Sequence, residues 1–220
     1  VEIMFFKYIN IFLIYILICF VESIEIVEPD RSTIATLLND FNCVSCELKD
    51  FNSTFDCPIS GNGPLVCDSN GRVEKLDLEF DKQVGGSIST TIGVLQKLKS
   101  FRVDYTSVSG VLPTELETLS ELTRLGLAGV RIEGSLPINS LLEYITCSNT
   151  LLSGTIPNYP KLNLFQCSSA SRISGTLASF PSNLQRFEAS GLSLSGTIPI
   201  LPPSLLTIYL EGFGISGTIP

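Results

Sequence analysis

The chain has 220 residues, with 14 lysines and arginines against 22 aspartates and glutamates, and a net charge of -8 at pH 7. This acidic balance, without a basic stripe, argues against a nucleic-acid-binding role. The sequence also contains no histidine, which removes the commonest general base and a common metal ligand. We therefore expect no enzymatic activity, no metal and no cofactor.

The N-terminal residues have the pattern of an export signal. Lys7 precedes an apolar run over residues 11–21, which is shorter than the roughly 20 residues of a membrane-spanning helix. Small or branched residues at Val21 and Ser23 fit a cleavage site, so we predict a signal peptide over residues 1–23. An uncleaved anchor is the alternative, and either reading places the rest of the chain outside the cytosol.

Residues 24–72 contain a short predicted helix and a cluster of four cysteines. Over residues 30–40, Ile34, Leu37 and Leu38 fall on one helical face, with Asp30 or Ser32 available as the N-cap. The four cysteines predict two disulfides in an exported chain, with three possible pairings, and the lack of histidine disfavours zinc. The sequon that begins at Asn52 predicts a glycosylation site. The cysteines are Cys43, Cys46, Cys57 and Cys67.

One motif recurs through the remainder of the chain, residues 73–220. Apolar residues spaced as Leu122, Leu125 and Leu127 precede each copy, and a stretch like Leu-x-Gly-x-Ile-Pro at 194–199 closes it. The alternation predicts short strands with one buried face, and the next strand comes too soon for a crossover helix. One unit cannot fold alone, so the units must stack. The motif glycines are Gly86, Gly110, Gly134, Gly154, Gly175, Gly196 and Gly217.

This pattern resembles a leucine-rich repeat array over roughly residues 30–220. Its Leu-x-Gly-x-Ile-Pro half is similar to the plant-type class of receptor ectodomains and polygalacturonase-inhibiting proteins. The resemblance implies an α/β solenoid: a right-handed superhelix with a parallel concave β-sheet, a mostly extended or 3-10 convex side and an N-terminal disulfide cap. In that family the second cap bridge matches Cys57 with Cys67, which leaves Cys43 with Cys46.

Several features of the repeats give finer expectations. The first two repeats have 24 residues and apolar spacings suited to a short helical turn on the convex side, whereas later repeats shorten and gain prolines, so we expect an extended convex side from about residue 138. The family's buried asparagine is absent and should be missing or replaced by threonine, as at Thr106 and Thr150. Cys147 and Cys167 occupy equivalent inward positions, and we expect two buried free thiols.

Parallel strands in register would display their outward residues as columns on the concave face. Aligned on the repeat frame, one column runs from Lys75 to Thr207, a second from Asp77 to Tyr209 and a third from Glu79 to Glu211. Tyrosine and arginine often carry the binding energy at interfaces, although an ordinary solvated face is the alternative. The candidate ligand-binding residues are Arg102, Tyr105, Arg124, Tyr144, Gln166, Arg186, Glu188 and Tyr209.

We therefore expect an extracellular leucine-rich repeat ligand-binding module, the N-terminal part of a cell-surface receptor-like or adhesion protein. Its partner would be a protein, peptide or oligosaccharide on the concave face. The alternative is a secreted inhibitor of a wall-degrading hydrolase, and a structural coat protein is a third reading. Because Pro220 completes a motif without a C-terminal cap, we expect a longer natural chain, with membrane attachment only if it continues beyond that residue.

Overall fold

The computed structural model describes residues 23–41, 56–58, 63–169, 172–177, 179–211 and 214–215. These residues form a leucine-rich repeat solenoid with a parallel concave sheet and an N-terminal cap, as the sequence predicts, together with a second parallel sheet. None of the described helices is long and apolar enough to cross a membrane. The cap comprises β1 (Ser23–Glu25), α1 (Asp30–Asp40) and β2 (Asp56–Pro58), and β1 pairs antiparallel with β2.

The larger sheet contains eight strands within the described residues, in the same order in space as in the sequence. Its pairings are parallel, except that the first strand runs antiparallel to the second. The middle residues of successive strands, such as Phe101, Leu125 and Ile145, lie side by side in the core. The strands are β3 (Leu65–Cys67), β4 (Val73–Asp77), β6 (Ser100–Arg102), β8 (Arg124–Gly126), β10 (Tyr144–Thr146), β12 (Leu164–Gln166), β14 (Arg186–Glu188) and β16 (Thr207–Tyr209).

A second parallel sheet, which the sequence analysis did not predict, is formed by the glycine motifs. The motif glycines that lie inside described strands have positive φ, for example 98° at Gly110 and 105° at Gly134, a conformation that favours glycine. Each repeat is therefore hydrogen-bonded to its neighbours at two places. The seven described strands are β5 (Gly85–Gly86), β7 (Ser107–Val111), β9 (Arg131–Ser135), β11 (Leu151–Gly154), β13 (Arg172–Thr176), β15 (Ser193–Gly196) and β17 (Gly214–Ile215).

The convex side of the solenoid, here called the return side because it carries the chain back to the next strand, changes from helical to extended along the chain, as expected. Two 3-10 helices span Thr90–Val94 and Thr114–Thr118, and the described residues after Thr118 contain no further helix. The amide of buried Asn139 donates to the carbonyls of Leu116 and Leu119, at 3.4 and 3.0 Å, and so satisfies the end of the second 3-10 helix. In the following repeat buried Tyr159 lies on this side, and its hydroxyl donates to the Pro137 carbonyl at 2.8 Å.

The buried carboxylate of Asp30 joins the helix of the cap to the start of β4. The Asp30 carboxylate is fully buried and accepts hydrogen bonds from Arg72 Nε, at 2.9 Å, and from the Val73 N–H, at 2.8 Å. The expectation that Asp30 or Ser32 is the N-cap is wrong: Pro29 holds that position, and the Glu28 carboxylate accepts from the Ser32 N–H at 3.3 Å. Asp30 is used between elements and not within its own helix.

The disulfides confirm one expectation and correct another. Cys57 is bonded to Cys67, with the Cα atoms 5.8 Å apart. The expectation of free thiols at Cys147 and Cys167 is wrong, because these residues form a second disulfide. They follow β10 and β12, whose parallel register brings the two Cα atoms to 4.6 Å, inside the range of roughly 4.4 to 6.8 Å for disulfides. The expected Cys43–Cys46 bridge and glycosylated Asn52 lie outside the described residues.

Threonine takes the place of the missing asparagine, as the sequence predicts. The Thr106 hydroxyl donates to the Val103 carbonyl at 2.7 Å, and the Thr150 hydroxyl donates to the Cys147 carbonyl at 2.8 Å. Both side chains are buried. These bonds close a turn within one repeat, so adjacent repeats are held together by the two sheets instead.

Candidate functional site

The outward columns on the larger sheet have the register that the sequence predicts. Tyr144 lies between Arg124 and Leu164 on the neighbouring strands, and Thr146 lies between Gly126 and Gln166. In the middle of the sheet these columns enclose a cleft of about 310 Å³. We call this the Arg124 cleft, and it is lined by Asp77, Arg102, Arg124, Tyr144, Thr146 and Leu164.

Arg124 and Tyr144 form the exposed wall of the Arg124 cleft. The guanidinium carbon of Arg124 lies 5.1 Å from the centroid of the Tyr144 ring, a cation–π arrangement. Among the described residues Arg124 has no ion-pair partner, and its side chain is exposed. The ring therefore orients a guanidinium whose hydrogen-bond donors are available to a ligand.

Arg102, in contrast, is already engaged by two carboxylates. Its NH1 and NH2 groups contact the two oxygens of Glu79 at 3.0 and 2.7 Å, and its Nε contacts Asp104 at 3.2 Å. A bidentate pair of this kind fixes the plane of the guanidinium. Of the arginines predicted as candidates, Arg102 therefore shapes the cleft, and Arg124 offers the available charge.

A buried carboxylate, Asp104, and a glycine, Gly126, support two residues that line the Arg124 cleft, Arg102 and Thr146. Asp104 is 2% exposed, and it accepts from the Ala128 N–H at 2.9 Å and from the Thr146 hydroxyl at 2.6 Å. Its side chain reaches these partners across Gly126. A Cβ at Gly126 would overlap the Asp104 carboxylate and lie 2.9 Å from Arg102 Cγ. Glycine at this column position is thus required for the network beneath the cleft.

Asp77 places a carboxylate at the other end of the cleft. It accepts a hydrogen bond from the Ser100 hydroxyl at 2.8 Å, and Lys75 Nζ lies 3.7 Å away. Burial raises the pKa of Asp77 above its ordinary value, against the opposing effects of Ser100 and of the neighbouring cations, Arg124 included. The cleft therefore presents both a cationic and an anionic group.

The remaining predicted residues do not line the Arg124 cleft. Gln166 is on β12, beside Thr146. Arg186 donates from Nε to Glu188 at 2.7 Å, and both residues are on β14. Tyr209 is 52% exposed and donates to Glu211 at 3.1 Å, and this bond, followed by the Glu211 charge, raises the pKa of Tyr209. Of the eight predicted ligand-binding residues, the Arg124 cleft thus contains three: Arg102, Arg124 and Tyr144.

Tyr105 lies in none of the columns, because it follows the third-column residue Asp104. Its ring stacks on that of Phe80, with centroids 5.2 Å apart and planes at 11°. The sequence pattern did not single out Phe80, or the cleft residues Asp77, Thr146 and Leu164, as site candidates. The columns already contained the three cleft residues, but nothing in the repeat frame indicated the position of Phe80.

Comparisons with known proteins place the fold. No protein-family model matches the chain, and no curated protein matches it. Among solved structures, the leucine-rich repeat ectodomain of GASSHO1/SCHENGEN3 from Arabidopsis thaliana, in complex with CASPARIAN STRIP INTEGRITY FACTOR 2, has a TM-score of 0.62 at 22% identity, over 78% of this chain and 22% of that one.

Two further structures have the same architecture. The Arabidopsis HAESA ectodomain, in complex with an N-terminally extended IDA peptide hormone, has a TM-score of 0.58 at 26% identity, over 68% of this chain and 27% of that one. Pollen Receptor Kinase 3 has a TM-score of 0.56 at 20% identity, over 70% of this chain and 81% of that one. The chain thus spans about a quarter of the two longer ectodomains and most of the shorter protein. It is a leucine-rich repeat solenoid with the fold of plant receptor kinase ectodomains.

Proposed function

We propose that this chain is an extracellular ligand-binding module, the N-terminal part of a receptor-like protein, and that it binds a peptide in the Arg124 cleft. The observation that carries the proposal is the pair formed by Arg124 and Tyr144, an available guanidinium held by an aromatic ring. A similar fold in HAESA, which is 26% identical over 68% of this chain, holds a peptide hormone. That likeness supports a peptide as the class of ligand.

The chemistry of the cleft favours a peptide with an acidic group beside an apolar one. A carboxylate would accept hydrogen bonds from the Arg124 guanidinium, for which bidentate pairing is the preferred geometry. Leu164 and the Tyr144 ring supply apolar surface beside that charge. Asp77 lines the same cleft and would accept from a peptide N–H or a basic group. The larger sheet would thus serve as the concave recognition face.

Selection from a random dodecapeptide library displayed on phage, with the secreted full chain as bait, tests the proposal. Peptides recovered on the wild-type chain should bind Arg124→Ala and Tyr144→Ala at least about thirtyfold more weakly, since truncation of such residues typically costs about 2 kcal/mol or more. Lys161→Ala is the matched control, because Lys161 is exposed and lines no part of the cleft. If the recovered peptides bind both cleft variants like wild type, the proposal is wrong.

A further inference from the structure

One backbone position is left-handed in six successive repeats of the described chain. Its φ lies between 57° and 71°, and its N–H donates to a carbonyl of the next repeat, as Phe80 does to Asp104 at 2.8 Å. Glycine and asparagine tolerate this conformation, whereas a bulky side chain in it is an outlier. The six residues are Phe80, Tyr105, Gly129, Asn149, Ser169 and Gly191.

Phe80 and Tyr105 are thus large aromatic residues where the solenoid favours small ones, and burial does not explain them. Phe80 is 65% exposed and Tyr105 is 40% exposed. Their rings stack on each other, and Tyr105 in turn covers Gly129, where a Cβ would lie 2.6 Å from Tyr105 Cδ1. We call this exposed pair the aromatic edge. Strained residues that serve no core are characteristic of binding surfaces.

The aromatic edge adjoins an acidic pocket of about 340 Å³ that is separate from the Arg124 cleft except for Asp77. Phe80 lines this pocket, and all the charged residues in its lining are carboxylates: Asp77, Glu79 and Asp81. Glu79 is ion-paired with Arg102. Asp81 accepts a hydrogen bond from the Gln83 N–H at 2.9 Å and has no ion pair within the described residues. An exposed aromatic ring beside a carboxylate is the arrangement that attracts a cation.

We propose that the aromatic edge and this pocket bind a basic side chain, arginine or lysine, of a peptide segment. The cation lies against the Phe80 ring and pairs with Asp81, while Tyr105 holds the Phe80 ring in place from behind. This surface is independent of the Arg124 cleft, since its aromatic residues and Asp81 line no part of that cleft. The strained backbone at Phe80 and Tyr105 is the cost of displaying the two rings.

The test uses a random dodecapeptide phage library passed over the full chain, after depletion on the double variant Phe80→Gly/Tyr105→Gly. Glycine suits the left-handed backbone, so this variant removes the rings without straining the chain. Recovered peptides should be enriched in arginine or lysine. Synthetic copies should bind the double variant at least about tenfold more weakly, and so should copies with the basic residue replaced by glutamine. Binding to Lys161→Ala, at an exposed position that lines neither site, should stay at the wild-type level.

Three outcomes overturn the proposal. Recovered peptides without basic residues, or with equal affinity for the double variant, exclude a cation site. Binding to a glycan array that depends on Phe80, with no peptide recovered, assigns the surface to carbohydrate instead. A thermal midpoint of the double variant more than about 5 °C below that of wild type, as expected for the loss of a core contact, shows that the stack is structural. The supporting result combines lost peptide binding with an unchanged midpoint.

Discussion

Gly126→Ala is expected to destabilise the protein by displacing a buried carboxylate. The new Cβ would overlap Asp104 and lie 2.9 Å from Arg102 Cγ. Asp104 must then leave the Ala128 N–H and the Thr146 hydroxyl, which it contacts at 2.9 and 2.6 Å. The buried Ala128 N–H without a partner costs about 1 to 3 kcal/mol, and the partly buried Thr146 hydroxyl costs about 1 kcal/mol, so the loss of both bonds should lower the free energy of unfolding by about 2 to 4 kcal/mol.

Thermal unfolding of the full chain, followed by circular dichroism, measures this effect. At about 2 to 4 °C per kcal/mol for a chain of this size, the midpoint of Gly126→Ala should fall by about 5 to 15 °C. Gly85→Ala is the matched control. Gly85 is also a strand glycine without positive φ, but a Cβ there would meet Ser107 Cβ at an ordinary 3.5 Å. Its midpoint should stay within about 2 °C of wild type.

The double variant Gly126→Ala/Asp104→Ala decides whether the steric argument is correct. Removal of the Asp104 side chain eliminates the overlap, so the double variant should be no less stable than Asp104→Ala alone. The coupling between the two sites would then be about as large as the Gly126→Ala effect itself. If the two effects simply add, the alanine methyl acts through something other than Asp104, and the reasoning is refuted.

Three further outcomes are expected. Asp30→Ala should lower the thermal midpoint by about 5 °C or more, because Arg72 loses its buried partner; an unchanged midpoint would show that the cap is not held by this pair. Because burial raises the pKa of Asp77, its charged form opposes folding, so Asp77→Asn should be more stable than wild type at neutral pH. This advantage should fade as the pH drops through the folded pKa of Asp77 and the carboxylate is protonated. Chemical denaturation at several pH values measures the difference in the free energy of unfolding between the two proteins, and a difference that does not change with pH would contradict the prediction. Peptide mapping without reduction should find Cys147 linked to Cys167, and alkylation of both in the folded chain would exclude that bond.

The repeat frame was sufficient to predict the outward columns. Because parallel strands stack without a shift, the pairing of Arg124 with Tyr144 and of Tyr144 with Leu164 follows from counting residues in successive repeats. The same count placed Cys147 beside Cys167. The disulfide was not predicted because buried thiols also pack well as small apolar side chains, whereas neighbouring parallel strands hold the two Cα atoms 4.6 Å apart.

Features that depend on a side chain crossing between repeats could not be predicted. Gly126 appears in the sequence as one more strand glycine, and nothing shows that Asp104 extends over it to Thr146. The exposed position of Phe80 was equally hidden, because the left-handed backbone beyond each strand has no fixed residue type. The second sheet was not predicted because the Leu-x-Gly-x-Ile-Pro stretch indicates only the end of each repeat, whereas its glycines lie inside short strands.

The change in repeat length has a consequence for how such an array can diversify. Repeats of 24 residues are followed by repeats of 20 and 21, yet the larger sheet keeps its register across the change, with Arg124, Tyr144 and Leu164 side by side. The added or missing residues are absorbed on the return side, where Asn139 closes the last 3-10 helix. Insertions and deletions there leave the display positions untouched. The convex side is therefore free to accumulate length variation during evolution, while the concave face changes by substitution alone.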